Sequence, residues 1–203
     1  MFTLVQMRDA VPIPASELDK PRPTAVGNVI ELKYCNRILP GVGLCICLYD
    51  ITQLGDGKIY LSDSRVHVRA EFQLLVFRPF IGEVLTGKIA RSSPEGLWLT
   101  VGFFDNIFVP PHFMLDGSEW DPSQNLWVWK SEHGEAALDP RFDSPVRFRV
   151  TNSIFKKEER PLEAPPAAHA DVGARVHDPN APPPYQVMAS IKDDGLGLVI
   201  WWE

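Results

Sequence analysis

Two aromatic rings and three cations occupy positions from which they could bind single-stranded nucleic acid. Each lies on the polar side of a short segment in which polar and apolar residues alternate, the residues being Trp98, Phe108, Lys88, Arg147 and Arg149. Aromatic rings stack on bases with about 1–3 kcal/mol per base, and neighbouring cations neutralise phosphates. These five residues are therefore the candidate RNA-binding set.

The charge of the chain limits how strongly this set could bind on its own. Residues 1–80 contain nine Lys and Arg against eight Asp and Glu, whereas residues 81–203 contain eleven against eighteen. A protein that binds nucleic acid unaided normally clusters positive charge on the binding domain. We therefore expect weak binding that a partner must position. The alternative is that an insertion or a partner chain covers Trp98 and Phe108.

The sequence lacks the residue patterns of the common catalytic sites. It contains no glycine-rich phosphate loop, no Gly-x-Ser-x-Gly segment and no His-Glu-x-x-His segment, and its five histidines are scattered. The carboxylates Asp193, Asp194 and Asp56 are typical of solvated turns. We therefore predict a protein that is not an enzyme and that uses no cofactor and no metal ion.

The three cysteines, Cys35, Cys45 and Cys47, form no Cys-x-x-Cys pair. This usage argues against a zinc site or a disulfide framework and indicates a reducing compartment. Because Cys45 and Cys47 are two residues apart in an apolar segment, they are predicted to share one face as small core residues. The N-terminus lacks signal-peptide features and no apolar run is long enough to cross a bilayer, so we expect a soluble, intracellular protein without membrane contact.

Residues 80–203 are predicted to form a barrel of short antiparallel strands. Apolar and polar residues alternate there with the two-residue period of strands that have one face in a core. The predicted strands are 82–91, 97–102, 104–109, 145–155, 185–191 and 196–202. An insertion at about 115–143 contains a further strand at 125–130, and residues 156–184 are too polar and proline-rich to fold, which predicts disorder. A three-stranded meander followed by later strands is typical of the oligonucleotide-binding barrel.

Residues 1–79 are predicted to form a separate α+β domain, in which one helix covers an antiparallel sheet. Its predicted elements are a strand at 1–11, a helix from Thr24 to about Leu39, and strands at 42–51, 58–61 and 66–77, with a turn at 54–57. The strand at 42–51 is almost continuously apolar, which indicates burial on both faces. The joint between the domains is short, so we expect rigid packing; it consists of Arg78, Pro79 and Phe80.

Six segments with distinctive residues occur in order along the chain. They read VGLCICLYDI (42–51), VFRPFIGEVLTGKI (76–89), SPEGLWLTVGFFDNIFVPP (93–111), LWVWK (126–130), VRFRV (146–150) and GLGLVIWW (195–202). Together they resemble the larger stalk subunit of eukaryotic RNA polymerase III. That family includes the counterpart in RNA polymerase II, its seventh subunit, and the larger stalk subunit of the archaeal RNA polymerase.

The resemblance implies an α+β N-terminal tip domain, with an antiparallel sheet and one main helix, followed by an all-β S1-type oligonucleotide-binding barrel. It implies an obligate heterodimer with the smaller, helical stalk subunit, docked on the polymerase III core through the tip. It also implies a nuclear location and contacts with initiation factors. The protein would then support initiation of small structured RNAs such as tRNA and 5S rRNA, and its barrel would contact nascent single-stranded RNA weakly.

The S1 resemblance extends only in part to the residues that bind RNA. Trp98 matches the second aromatic residue of the usual RNA-facing pair, whereas Glu95 lies near the first aromatic position and Pro110 replaces the usual histidine. These departures argue against strong autonomous RNA binding. The alternative function is an independent S1-domain RNA-binding factor in RNA processing or translation, which the additional N-terminal domain disfavours.

Overall fold

The computed structural model describes residues 1–61, 63–131, 134–142, 144–156 and 183–202. The chain divides into two units, Met1–Phe80 and Ile81–Glu203. Nearly all of the segment 156–184 lies outside the described residues, so its disorder stays a prediction.

An antiparallel sheet of four strands and one α-helix form the described part of the first unit. The elements are β1 (Phe2–Ile13), a 3-10 turn (Ala15–Glu17), α1 (Arg22–Tyr34), β2 (Ile38–Leu39), β3 (Gly43–Tyr60) and β4 (Asp63–Phe77). Neighbouring strands follow the order β1-β4-β3-β2. The predicted α+β fold is thereby confirmed.

Alternation along β4 builds the core of this unit. Every second residue from Val68 to Val76 is buried, in one cluster with Ala25, Val26 and Ile30 of α1. Each fully buried Val, Leu, Ile or Phe side chain stabilises a fold by about 1.5–3 kcal/mol relative to exposure. This burial holds the helix on one face of the sheet.

The helix begins earlier and ends earlier than predicted. It starts at Arg22 with a proline as its second residue, where a missing N–H needs no partner, and it ends at Tyr34 rather than near Leu39. Asn36 has a φ of 57°, in the left-handed region that terminates helices. The Asn36 N–H donates to the Cys45 carbonyl oxygen at 2.9 Å, which directs the chain back along the sheet.

The expectation that residues 42–51 are buried on both faces is wrong. Only the first three residues of β3 are buried, and the Tyr49 side chain is 63% exposed. The physical reason is that α1 packs on one face of the sheet, so an apolar segment here does not require burial on both faces. The predicted turn at 54–57 is also wrong, because β3 continues through it with shifts of register against β4.

Cys45 and Cys47 do not share an environment, contrary to the prediction. A register shift separates them, so that Cys45 pairs with Val76 and Cys47 pairs with Leu75 on the alternate side of β4. Cys45 is fully buried and Cys47 is partly exposed. Burial raises the pKa of the Cys45 thiol to about 12, so at neutral pH it packs as a small uncharged side chain.

A polar contact fixes the end of α1 to β1. Lys33 Nζ and the Tyr34 hydroxyl both donate to Asp9 Oδ2, at 2.5 Å and 2.7 Å. Partial burial acts to raise the pKa of Asp9, but the hydrogen bonds from Lys33 and Tyr34 outweigh it and hold that pKa below its usual value. The Tyr34 ring also packs on Phe72, with the ring centroids 5.6 Å apart, so the contact joins the helix end to the core.

Five strands of the second unit close into a barrel. The barrel strands are β5 (Val84–Ser93), β6 (Gly96–Thr100), β7 (Ile107–Val109), β11 (Pro145–Phe155) and β12 (Tyr185–Ser190). Four further strands lie outside the barrel: β8 (Ser118–Asp121), β9 (Leu126–Ser131), β10 (Gly134–Leu138) and β13 (Gly197–Leu198). Short 3-10 turns occur at Pro111–Phe113, Pro140–Phe142 and Val199–Trp201. The ring runs β5-β6-β7-β12-β11 and returns to β5. Only the β7–β12 pair of this ring is parallel. The predicted oligonucleotide-binding barrel is confirmed.

The interior of the barrel follows the alternation in the sequence. Leu97 and Leu99 of β6, Ile107 of β7 and Phe148 of β11 are buried, while their sequence neighbours point outward. The predicted strand at 145–155 coincides with β11. The predicted strand at 104–109 is too long, because β7 begins only at Ile107 and residues 104–106 belong to no strand.

The insertion is more regular than predicted. Instead of one strand it forms a three-stranded antiparallel sheet, β8-β9-β10. The Trp127 indole N–H donates to the Ser93 carbonyl oxygen at 2.8 Å, and the Ser92 hydroxyl donates to the Leu138 carbonyl oxygen at 3.4 Å. These bonds hold the sheet against the β5–β6 hairpin.

The predicted final strand at 196–202 is wrong beyond its first residues. Only Gly197–Leu198 pairs with β11, and Val199–Trp201 is a 3-10 turn. The turn folds the Trp201 ring back onto Gly197, where an added Cβ atom would lie 2.5 Å from Trp201 Cζ3. Gly197 has a φ of 92°, so glycine is required both for the backbone conformation and for the space.

Candidate nucleic-acid interface

Trp98 and Phe108 lie side by side on the outside of the barrel. They are directly opposite each other in the β6–β7 pair, with ring centroids 4.8 Å apart and ring planes inclined at 45°. Both side chains are half-buried. The structure thus places them outward, as the alternation predicts, and the described part of the insertion does not bury them.

The cation next to this pair is Arg91, which the sequence pattern did not identify. A β-bulge interrupts β5 between Ile89 and Arg91, and it places Arg91 directly opposite Trp98. The guanidinium carbon of Arg91 lies over the Trp98 ring, 4.3 Å from its centroid. Regular alternation from Lys88 would turn residue 91 inward, and no residue type in this segment marks the bulge.

A fourth residue, Met188, lies on the side of Phe108 away from Trp98. This half-buried side chain of β12 is paired with Phe108 of β7. Arg91, Trp98, Phe108 and Met188 therefore form a line across four neighbouring strands, which we call the outer row. Its middle two residues were predicted from the sequence and its two ends were not.

Two of the predicted cations lie on the same sheet surface as the outer row. Lys88 is opposite Thr100, which is two residues from Trp98 on β6. Arg147 is opposite Thr86, two residues from Lys88 on β5. Both side chains are exposed. They extend the positive charge of Arg91 along β5 and β11.

Arg149 is two residues beyond Arg147 on β11 and opposite Val84. Its Nε lies 3.5 Å from Asp193 Oδ2, and both of these side chains are about half exposed. An exposed ion pair of this kind contributes about 0–1 kcal/mol and is screened by salt. The pair nevertheless offsets the charge of Arg149, which makes it a weaker phosphate ligand than Arg147.

The predicted joint residues take part in contacts at the end of the first unit. Arg78 Nη1 donates to the Gly41 carbonyl oxygen at 3.0 Å, and the Arg78 backbone N–H donates to the Met1 carbonyl oxygen at 2.9 Å. Pro79 is buried and Phe80 is 60% exposed. The rigid packing of the two domains expected at this joint stays a prediction.

Metal sites and membrane spans are two further classes of feature that bear on function. No group of three His, Cys, Asp or Glu side chains in the described residues could hold a metal ion. None of the described helices is long and apolar enough to cross a membrane. The outer row and its neighbouring cations are the arrangement with the most evident binding chemistry.

Comparison with known families matches both units of the chain. A family model described as "RNA polymerase III subunit Rpc25" matches residues 83–202. The chain belongs to the RNA polymerase III subunit Rpc25 family. A second model, described as "SHS2 domain found in N terminus of Rpb7p/Rpc25p/MJ0397", matches residues 8–64. The resemblance identified from the six sequence segments is confirmed.

Individual relatives agree with this membership of the Rpc25 family. The DNA-directed RNA polymerase III subunit RPC8 of Bos taurus is 37% identical over 100% of this chain and 98% of its own length. The corresponding subunit of Schizosaccharomyces pombe is 34% identical over the full length of both chains. The RNA polymerase II subunit RPB7 of Saccharomyces cerevisiae is 32% identical but aligns with only 56% of this chain. These matches support the stalk-subunit interpretation and not the independent S1-domain factor.

Proposed function

We propose that the protein is a non-catalytic stalk subunit of RNA polymerase III in the nucleus. It forms a heterodimer with the smaller, helical stalk subunit, docks on the polymerase core through its first unit, and contacts initiation factors when tRNA and 5S rRNA genes are transcribed. The observation that carries this proposal is the alignment of the whole chain with RNA polymerase III subunits. The non-catalytic role is supported by a sequence without the common catalytic patterns.

The exposed residues beside the turn that joins β3 to β4 support docking through the first unit. Ile59 and Tyr60 are 74% and 52% exposed at neighbouring positions. Beside them Asp63 accepts hydrogen bonds from Arg65 Nη2 at 2.9 Å and is 2.8 Å from His67 Nε2. Adjacent exposed apolar side chains with ordered polar neighbours are typical of protein contact surfaces.

Weak contact with single-stranded RNA is supported by the outer row and the cations near it. Arg91, Lys88 and Arg147 supply positive charge on one surface of an otherwise acidic unit. Because that unit has more Asp and Glu than Lys and Arg, its overall field opposes RNA binding. The barrel is therefore expected to bind RNA weakly on its own, and the polymerase keeps it beside the transcript.

Rapid depletion of the protein in its own cells tests this function. Short labelling of nascent RNA should then show several-fold less synthesis of precursor tRNA and 5S rRNA, while messenger RNA synthesis is unchanged, because initiation by RNA polymerase III loses its stalk. Re-expression of the wild-type chain should restore synthesis. Unchanged precursor synthesis with slower maturation would contradict the proposal and indicate a processing factor.

A further inference from the structure

Trp98 has a neighbour on each side within the outer row. Arg91 is its cross-strand partner on β5, and Phe108 is its partner on β7. The Arg91 guanidinium lies 4.3 Å from the indole centroid, and the Phe108 ring lies 4.8 Å from it. A base that stacked on Trp98 would have to displace one of these side chains.

Phe108 is restricted in the same way. An atom at the Cβ position of Gly96 would lie 2.8 Å from both Cε2 and Cζ of Phe108, so the ring lies directly on the Gly96 backbone. The Phe108 ring is also in contact with the Trp98 ring, and Phe108 is paired with Met188 of the neighbouring strand. The two aromatic rings therefore use their faces for contacts within the protein.

In contrast to the two aromatic rings, Arg91 can offer its polar groups to a ligand. Its side chain is exposed, and in the described part of the chain its guanidinium N–H groups have neither a hydrogen-bond acceptor nor a carboxylate partner. The cation–π contact with the Trp98 ring restrains the guanidinium without using its donors. A fixed guanidinium with available donors is suited to bind a phosphate with two parallel hydrogen bonds.

We propose that this surface binds the phosphates of an RNA backbone through Arg91, and that Trp98 is a positioning residue for Arg91 rather than a platform for bases. Lys88 and Arg147 lie on the same surface and extend the path for successive phosphates. The inference rests on the proposed RNA contact of the stalk subunit and specifies its chemistry. It predicts binding that is independent of base sequence.

Two probes of equal length distinguish backbone binding from base stacking. One is a fluorescent uridine oligoribonucleotide and the other is the same ribose-phosphate chain without bases, each titrated with the full-length protein at low salt. Backbone binding predicts equal affinity for the two probes. Base stacking predicts that the uridine probe binds at least about fivefold more tightly, the equivalent of one stacked base.

A double-mutant cycle tests whether Trp98 acts through Arg91. Arg91→Ala should weaken binding on the order of fivefold. It should also reduce the salt slope, the steepness with which the logarithm of the affinity falls against the logarithm of the salt concentration, by about 0.7, as expected for one phosphate contact to a single strand. Arg91→Lys should recover the salt slope but only part of the affinity, because an ammonium lacks the planar donor pair. Trp98→Ala should weaken binding in the wild-type background and have no further effect in Arg91→Ala.

The outcomes separate this inference from the function on which it rests. Lys20→Ala removes one charge from the first unit and serves as the charge-matched control, with unchanged affinity expected. Tighter binding of the uridine probe, or equal effects of Trp98→Ala in both backgrounds, overturns backbone binding while RNA contact stands. A wild-type protein that binds neither probe overturns the RNA contact and the inference together, whereas the depletion experiment still decides the polymerase role.

Discussion

Gly96→Ala is expected to lower the free energy of unfolding of the barrel by about 3 kcal/mol or more. Gly96 has a φ of 150°, a conformation that other residues adopt with strain. An added Cβ atom would also lie 2.3 Å from the Val109 carbonyl oxygen. Because that oxygen belongs to the neighbouring strand β7, the clash must push apart the β6–β7 hairpin, which carries Trp98 and Phe108.

Urea unfolding followed by tryptophan fluorescence measures this effect selectively. All six tryptophans lie between residues 98 and 202, so the signal reports on the second unit. Gly102→Ala is the matched control: Gly102 also has a positive φ, 93°, but nothing lies within 4 Å of an added Cβ atom. That variant should lose only about 1–2 kcal/mol from backbone strain. Equal losses in the two variants would show that the close approach at Gly96 is unimportant.

Phe72→Ala is expected to destabilise the first unit by about 3–5 kcal/mol, the usual effect of removing a buried phenylalanine. Phe72 is fully buried in the core beneath α1 and packs on the Tyr34 ring. Its removal leaves a cavity and also withdraws support from the contact of Tyr34 with Asp9. Both effects loosen the helix on the sheet.

Amide hydrogen exchange is the suitable measurement for Phe72→Ala, because the first unit contains no tryptophan. Amides of β1 and β4 should exchange much faster in the variant, while those of β6 and β11 keep their protection. Leu32→Ala is the control, since Leu32 is 78% exposed on the same helix, and it should change stability by less than about 0.5 kcal/mol. Unchanged protection of β4 in Phe72→Ala would contradict the packing described for this core.

The sequence predicted the elements whose side chains alternate regularly between core and surface. The bounds of β11 were correct, and the apolar side of the alternation, which includes Leu97, Leu99 and Ile107, lies inside the barrel. In these strands one face is buried, so the period of two fixes both the strand and its orientation. The family could also be identified, because its motifs are local runs of residues that do not depend on register.

Irregular strands account for most of the errors. The β3–β4 pair contains five register shifts, and β3 runs without a break through Gly55 and Gly57, which in the sequence resemble a turn. One of these shifts separates the environments of Cys45 and Cys47. Bulges depend on pairing with another strand, so a single segment does not reveal them. The end of α1 depends on the left-handed conformation of Asn36, and an asparagine in a sequence does not by itself show that its φ is positive.

The candidate site was found in part for the same reason. Trp98 and Phe108 follow the alternation, but Arg91 reaches the outer surface only through the bulge in β5, and Met188 joins the row only when β12 closes the barrel beside β7. The residue that contributes most to the proposed chemistry was thus the one that local patterns could not identify. Its contact with Trp98 changes the expected use of the aromatic ring from base stacking to positioning a cation.

Affinity purification of the tagged full-length chain from its own cells, followed by identification of the co-purifying proteins, tests the central claim most directly. We expect the smaller stalk subunit in equal amount and the subunits of the RNA polymerase III core with it. Recovery of a stable monomer, or of another polymerase without RNA polymerase III, would contradict the assignment of this protein to the RNA polymerase III stalk.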